Sequence, residues 1–95
     1  MKIYVSGPIT GWPNYEERFA AAEELLHQGG YDVINPADAL AYMPKSTSHE
    51  EYMAKSFELL KECDGIYMLD GWEKSAGART EFEFAKEHKM TICFQ

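Results

Sequence analysis

The sequence predicts an α/β domain in which a parallel sheet lies between two layers of helices. Four short apolar segments alternate with segments whose apolar residues recur at helical spacing, and Gly or Pro separates most of them. This alternation favours a parallel sheet, because each connection between parallel strands needs a crossover, usually a helix. Right-handed crossovers then favour a flavodoxin-like or Rossmann-like three-layer sandwich with strand order 2-1-3-4. We expect residues 1–95 to form one domain.

The first part of the chain contains two predicted strands and one clear helix. Lys2–Ser6 is predicted as the first strand and Tyr31–Ile34 as the second. Asn14 and Glu17 have the spacing of a capping box at a helix start, and Gly29–Gly30 marks the end of that helix. The apolar stripe between them recurs at steps of four, three and four residues: Tyr15, Phe19, Ala22 and Leu26.

The second part predicts two further helices and two further strands. One helical turn is expected at Asp38–Tyr42, and Ser48 with Glu51 forms a second capping-box pattern. The helix that starts there has the stripe Tyr52, Ser56, Leu59, Leu60 and Cys63. The remaining predicted elements are a strand at Ile66–Leu69, a helix over about Gly77–His88 and a strand at Met90–Phe94.

Composition and charge argue against several classes of function. A hydrophobic content of 45% is typical of a packed globular protein. The formal charge of −7 argues against binding polymeric nucleic acid, which needs patches of Lys and Arg, but it allows a single nucleotide. No apolar run has the length of a membrane span and no signal peptide is visible, so we expect no membrane contact and a cytoplasmic location.

The sequence predicts neither a metal nor a cofactor. Cys63 and Cys93 lie in apolar segments without metal-like spacing and are expected to be buried, reduced thiols. The three His residues show no metal spacing either. The loop Gly7–Gly11 lacks the dinucleotide-binding glycine pattern and the Walker lysine.

The predicted topology brings three loops, residues 7–13, 35–47 and 70–77, to the carboxyl ends of the strands, where open parallel sheets bind ligands. Trp12 and Trp72 lie in these loops and could either stack on a base or close the end of the sheet. A tight turn would also explain the glycines of the first loop. The candidate binding residues in and beside the first two loops are Ser6, Gly7, Pro8, Ile9, Thr10, Trp12 and Asn35.

The third loop leads into the helix that carries the principal candidate, Glu81. The small residues Ser75–Ala78 leave space beside its carboxylate, and the free N–H groups of a helix start can hold an anion, which together suit a phosphorylated sugar. If Ala78, Phe82 and Ala85 face the sheet, Glu81 lies about 60° from the centre of that stripe and could equally be a charged flank. The other candidates are Asp70 as a second carboxylate and Trp72, Ser75, Gly77, Ala78 and Arg79 as binding residues.

Two segments carry a resemblance to a known family. Ser6–Ile9 has the sequence Ser-Gly-Pro-Ile, and Gly71–Glu81 has the pattern Gly-Trp-x-x-Ser-x-Gly-Ala-x-x-Glu. With these motifs the chain resembles the nucleoside 2-deoxyribosyltransferase superfamily, which includes the 2'-deoxynucleoside 5'-monophosphate N-hydrolases. It is most similar to a family of small phage and bacterial proteins with both motifs, and the resemblance covers essentially the whole chain.

The resemblance implies roles for several residues. Glu81 would attack the anomeric carbon of the sugar, and Ser75 would contact a substrate phosphate. Thr10 stands where the hydrolases have a phosphate-binding arginine, which Arg79 could replace. Ser56 stands where they have a catalytic aspartate, so Asp70 or a water would have to assist the leaving base.

These observations lead to an expected function and to alternatives. We expect an N-glycosidase or deoxyribosyltransferase that cleaves the base–sugar bond of a (deoxy)nucleoside or its 5'-monophosphate. The alternative is a non-catalytic nucleotide-binding sensor that keeps the pocket without the acid, and a structural or partner-binding domain is a third. The apolar segment Ala39–Met43 and the apolar residues Tyr52, Met53 and Phe57 exceed what one sheet contact needs. Together with the oligomeric state of the superfamily, they predict a homodimer or larger homo-oligomer with residues around Tyr42–Phe57 at the interface.

Overall fold

Four parallel strands form a single sheet in the computed structural model, which describes residues 1–95. The strands are β1 (Lys2–Ser6), β2 (Asp32–Ile34), β3 (Gly65–Met68) and β4 (Thr91–Phe94). Their order is β2-β1-β3-β4, and every neighbouring pair is parallel. The predicted α/β class and the strand order 2-1-3-4 are therefore confirmed.

Helices cover both faces of this sheet. They are α1 (Tyr15–Gln28), α2 (Pro36–Ala39), α3 (His49–Leu60) and α4 (Ala76–Glu87), with a 3₁₀ turn at Trp72–Lys74. None of these helices is long and apolar enough to cross a membrane.

The alternation of side chains along β1 divides the core into two halves. Ile3 and Val5 pack with Phe19 of α1 on one face of the sheet. Tyr4 points to the other face, where it packs with residues of α3 and α4. Ser6, two residues after Tyr4, shares this second face, and the strand therefore presents two hydroxyl groups towards α4.

Of three predicted helix starts, one is confirmed and two differ from the prediction. Ser48 caps α3 as predicted, because its Oγ accepts a hydrogen bond from the N–H of Glu51 at 3.1 Å and donates one to the Glu51 carboxylate at 3.0 Å. The capping box predicted at Asn14 is wrong, since that side chain makes no capping hydrogen bond. The short helix α2 begins at Pro36 rather than at Asp38, because the Asn35 side chain accepts from the N–H of Ala37 at 3.0 Å.

The buried face of α4 is rotated relative to the prediction. Its buried residues are Ala78, Glu81 and Ala85, whereas Phe82 is only half-buried. Phe82 stacks on Trp72 instead, with ring centroids 4.6 Å apart. The helix thus presents the carboxylic acid, and not the phenyl ring, to the middle of the sheet. The two cysteines are free thiols but are half-buried rather than buried.

Candidate active site

A cleft of about 790 Å³ opens at the carboxyl ends of the strands. The loops that follow β1, β2 and β3 all contribute to its lining, together with the first turns of α1, α3 and α4. Of the predicted site residues, those that line this cleft are Gly7, Pro8, Ile9, Thr10, Trp12, Ser75, Gly77, Ala78 and Glu81. The arrangement brings most of the first and third predicted loops to one cavity.

Glu81 lies at the bottom of this cleft and is only 6% exposed. Its Oε2 accepts a hydrogen bond from the Tyr4 hydroxyl at 2.5 Å, and its Oε1 accepts one from the Ser6 hydroxyl at 2.7 Å. Both donors come from the same face of β1. Each carboxylate oxygen therefore has one donor from the central strand, and the two hydrogen bonds fix the orientation of the carboxyl group.

The protonation of Glu81 is poised near neutral pH. Burial raises the pKa of Glu81 from its ordinary value of 4.5 to about 7, and the hydrogen bonds from Tyr4 and Ser6 act in the opposite direction. Burial also raises the pKa of Tyr4 well above its ordinary value, and the adjacent Glu81 raises it further. Tyr4 consequently remains a neutral donor, and the carboxyl group gains or loses its proton in the physiological range.

Ser56 occupies the position of the acid in the N-hydrolases that the sequence resembles, and the structure places it in the core. Its side chain is fully buried, and its Oγ has no hydrogen-bond partner. It lies close enough to Tyr4 to lower the pKa of that phenol slightly, against the larger effects of burial and Glu81. Ser56 does not line the cleft.

The start of α4 forms one end of the cleft. Ser75 caps this helix, because its Oγ accepts from the N–H of Ala78 at 3.2 Å. The first backbone hydrogen bond of α4 runs from the N–H of Arg79 to the carbonyl of Ser75, at 2.9 Å. The N–H groups of Ala76 and Gly77 come before it and have no partner within the helix. They are available to an anion in the cleft.

The start of α3 packs directly against this end. A Cβ atom on Gly77 would lie 3.2 Å from the Met53 sulfur and 3.7 Å from Cε1 of His49, so the absence of a side chain permits the two helices to approach. His49, Lys45 and Lys74 also line the cleft. His49 and Lys74 and the N-termini of two helices therefore lie at this end of the cavity.

Trp12 lines the cleft on the side of the first loop, and its ring is held from two directions. The Arg18 guanidinium lies over the indole, 4.7 Å from the ring centroid. Gly71 has a φ of +89°, and a Cβ atom there would be 2.9 Å from Cζ2 and Cη2 of Trp12. The indole is thus fixed at the cleft by a cation and by a close glycine backbone.

Five of the predicted residues do not line the cleft. Asp70 is exposed, with its carbonyl bound by Arg18 at 2.7 Å. Trp72 stacks on Phe82, and Asn35 is a buried residue that caps α2. Arg79 is exposed, and its guanidinium donates to the Glu73 carbonyl at 2.6 Å. Ser6 lies behind the cleft and reaches it only through Glu81.

Sequence reasoning missed several residues of the site. Tyr4 could have been found, since it lies two positions before Ser6 and therefore on the same face of β1. No comparable signal marks His49, Tyr52, Lys45 or Lys74, because their presence depends on how α3 approaches α4. No group of three or more His, Cys, Asp or Glu side chains is arranged to hold a metal ion.

A comparison with models of protein families gives a match over almost the whole chain. A family model described as "Domain of unknown function (DUF4406)" matches residues 1–94 of this chain. No curated protein matches it.

The raised pKa of Glu81 predicts a specific dependence of stability on pH. Between pH 4.5 and about 7 the folded protein binds this proton more strongly than the unfolded chain. The free energy of unfolding should therefore fall as pH rises through this window, by up to about 3 kcal/mol from this residue. Denaturant titrations at several pH values should show a smaller fall for Glu81→Gln. Glu83→Gln, at an exposed position of the same helix, should keep the parent's pH dependence; equal dependence in all three proteins would contradict the assignment.

Proposed function

The chain belongs to the DUF4406 family, and we propose that it is a nucleotide-processing enzyme, an N-glycosidase or deoxyribosyltransferase that cleaves the base–sugar bond. The substrate would be a (deoxy)nucleoside or its 5'-monophosphate. The observation that carries this proposal is the buried carboxyl group of Glu81, which faces the cleft with one hydroxyl donor on each oxygen.

The geometry supports a nucleophilic role for Glu81. Cleavage of a glycosidic bond passes through an oxocarbenium-like state, which a carboxylate can stabilise and then trap as a covalent glycosyl–enzyme. The two hydroxyl donors hold the carboxylate in place, and they favour its ionised form against the effect of burial. Water or a second base would then release the sugar, which distinguishes hydrolysis from transfer.

The sequence motifs support the same chemistry independently. The segment Gly71–Glu81 resembles the corresponding helix start of nucleoside 2-deoxyribosyltransferases and deoxynucleoside monophosphate N-hydrolases, in which a glutamate attacks the sugar. In this chain the motif glutamate is the one that lies at the bottom of the cleft. The motif serine, Ser75, lines the cleft at the start of the same helix.

The basic end of the cleft favours a phosphorylated substrate. Ser75, the N–H groups of Ala76 and Gly77, Lys74 and His49 all border this part of the cavity. An anion there would also interact favourably with the helix dipole of α4. We therefore propose that the 5'-phosphate lies at the start of α4 and that the sugar lies between it and Glu81.

A nucleotide sensor is a second candidate function, and one observation favours it. Ser56 lies in the core without a carboxyl group, and Asp70 lies outside the cleft, so neither supplies the acid that N-glycoside cleavage normally uses. A sensor would bind the nucleotide in the same cleft and leave it intact.

Self-association is also part of the proposal. Tyr42 is 71% exposed. It lies in the loop between α2 and α3, and this loop borders the cleft. Met53 and Phe57 of α3 are half-buried within the same stretch of chain. We propose that residues around Tyr42–Phe57 form the contact of a homodimer.

Replacement of the proposed nucleophile provides the first test. Glu81→Gln keeps the shape of the side chain but cannot form the glycosyl ester, so base release should fall by about 10³-fold or more. Glu83→Gln makes the same charge change outside the cleft and should release base at the parent rate. The assay is chromatography of free base from a panel of nucleosides and 5'-monophosphates. Equal release by parent and Glu81→Gln would contradict the proposal, whereas a parent that is heat-stabilised by a nucleotide without cleaving it would favour the sensor.

The phosphate end can be tested by binding in the Glu81→Gln background, where ligands should remain intact. Calorimetry should give a lower Kd for a 5'-monophosphate than for its nucleoside. Lys74→Gln should raise the Kd of the monophosphate by about three- to tenfold and leave the Kd of the nucleoside unchanged. Arg79→Gln removes the same charge on the exposed side of α4 and serves as the control. Equal affinities for the two ligands would rule out a phosphate site.

Light scattering tests the proposed dimer. At about tens of micromolar protein, a range typical of modest affinity, the parent should have the mass of a dimer. Tyr42→Glu should shift it towards the monomer by placing a charge in the contact. Tyr31→Glu, at another exposed tyrosine that lies just before β2, should not. A monomeric parent would contradict the proposal.

A further inference from the structure

Tyr52 is a residue of the cleft whose polar group has no partner in the protein. It lies on α3, lines the cavity together with Glu81, and is half-buried. Its hydroxyl makes no hydrogen bond to another residue, in contrast to that of Tyr4, which is bound to Glu81. Because the hydroxyl is also not enclosed in the core, it remains free to bind a group that enters the cleft.

The proposed reaction requires a hydrogen-bond donor for the departing base. When the glycosidic bond breaks, its electron pair moves onto a nitrogen of the base, and a hydrogen bond to that developing charge lowers the barrier. Glu81 and Glu16 are the only carboxylic acids that line the cleft, and Glu81 is already the nucleophile. Glu16 is exposed at the start of α1, where water can replace any hydrogen bond it makes.

The electrostatics of Tyr52 suit hydrogen-bond donation rather than full proton transfer. The pKa of Tyr52 is raised to about 12, mainly by burial and to a smaller extent by the nearby Glu81 and Tyr15. The phenol is therefore neutral between pH 7 and about 12, a range in which Glu81 is ionised. It always carries a proton to share, but it does not give that proton up easily.

We propose that the Tyr52 hydroxyl donates a hydrogen bond to the departing base while Glu81 attacks the sugar. This assignment rests on the proposed function and adds a catalytic residue to it. A Glu81 carboxylate oxygen forms a bond to the anomeric carbon, and the bond between that carbon and the base nitrogen breaks. The electron pair goes to the base, which accepts the hydrogen bond from Tyr52 and then takes a proton from water. The hydroxide that remains attacks the glycosyl–enzyme, which restores the Glu81 carboxylate and completes the hydrolysis.

Dependence on the leaving group tests this role. The experiment compares the parent with Tyr52→Phe on two 5'-monophosphates that differ only in how easily the base departs. Suitable pairs are deoxyguanosine with 7-methyldeoxyguanosine monophosphate, or deoxyuridine with 5-fluorodeoxyuridine monophosphate, whichever pair the parent cleaves. Tyr52→Phe should lose about 10- to 100-fold in kcat on the ordinary base and less than about threefold on the activated base.

Two further variants and the parent itself make the outcomes distinct. Tyr31→Phe removes a phenol hydroxyl outside the cleft and should match the parent on both substrates. An equal loss on both substrates in Tyr52→Phe would show a structural role and overturn the assignment. The same holds if His49→Gln, and not Tyr52→Phe, shows the dependence on the leaving group. If the parent releases no base from these substrates or from the panel of nucleosides and 5'-monophosphates, the proposed function itself fails, and the assignment to Tyr52 fails with it.

Discussion

The hydrogen bonds from Tyr4 and Ser6 to Glu81 are the interaction on which the rest of the site depends. They join the central strand to α4 through a carboxyl group that is almost fully buried. A carboxylic acid in this position is unfavourable for stability, since burial of a charge costs several kcal/mol and an apolar side chain of similar size commonly packs as well. Its position at the bottom of an open cleft is therefore better explained by chemistry than by folding.

The same arrangement sets the reactivity of the carboxyl group. Burial alone would leave Glu81 protonated and unreactive at neutral pH, whereas full exposure would surround the carboxylate with water and weaken it as a nucleophile. The two hydroxyl donors shift the balance back towards the ionised form without adding a positive charge, and the resulting pKa is about 7. A group with a pKa near the working pH is typical of catalytic sites, and Glu81 meets this condition through neutral donors only.

Local patterns in the sequence predicted most of the fold and part of the site. The alternation of strands and helices and the handedness of crossovers determine the strand order, and the cap at Ser48 depends only on residues three positions apart. The same local pattern failed at Asn14, where the side chain makes no capping bond. The orientation of Glu81 depends on contacts that are distant in sequence, because the packing of Phe82 against Trp72 and the two donors from β1 decide which side of α4 faces the sheet. Tyr52 joins the site through the approach of α3 to α4, which no spacing in the sequence encodes.

The distribution of charge within the cleft differs from that of the whole chain, and this difference decides which ligands are plausible. The formal charge of −7 would repel a polyanion at long range. A single phosphate at the start of α4, however, would lie near Lys74, His49 and free helix N–H groups, and salt screens such short-range contacts less than it screens the field of distant surface carboxylates. Binding would then depend on short-range contacts rather than on attraction from a distance. This favours a small nucleotide that fits inside the cavity over a strand of nucleic acid that must lie across the acidic surface.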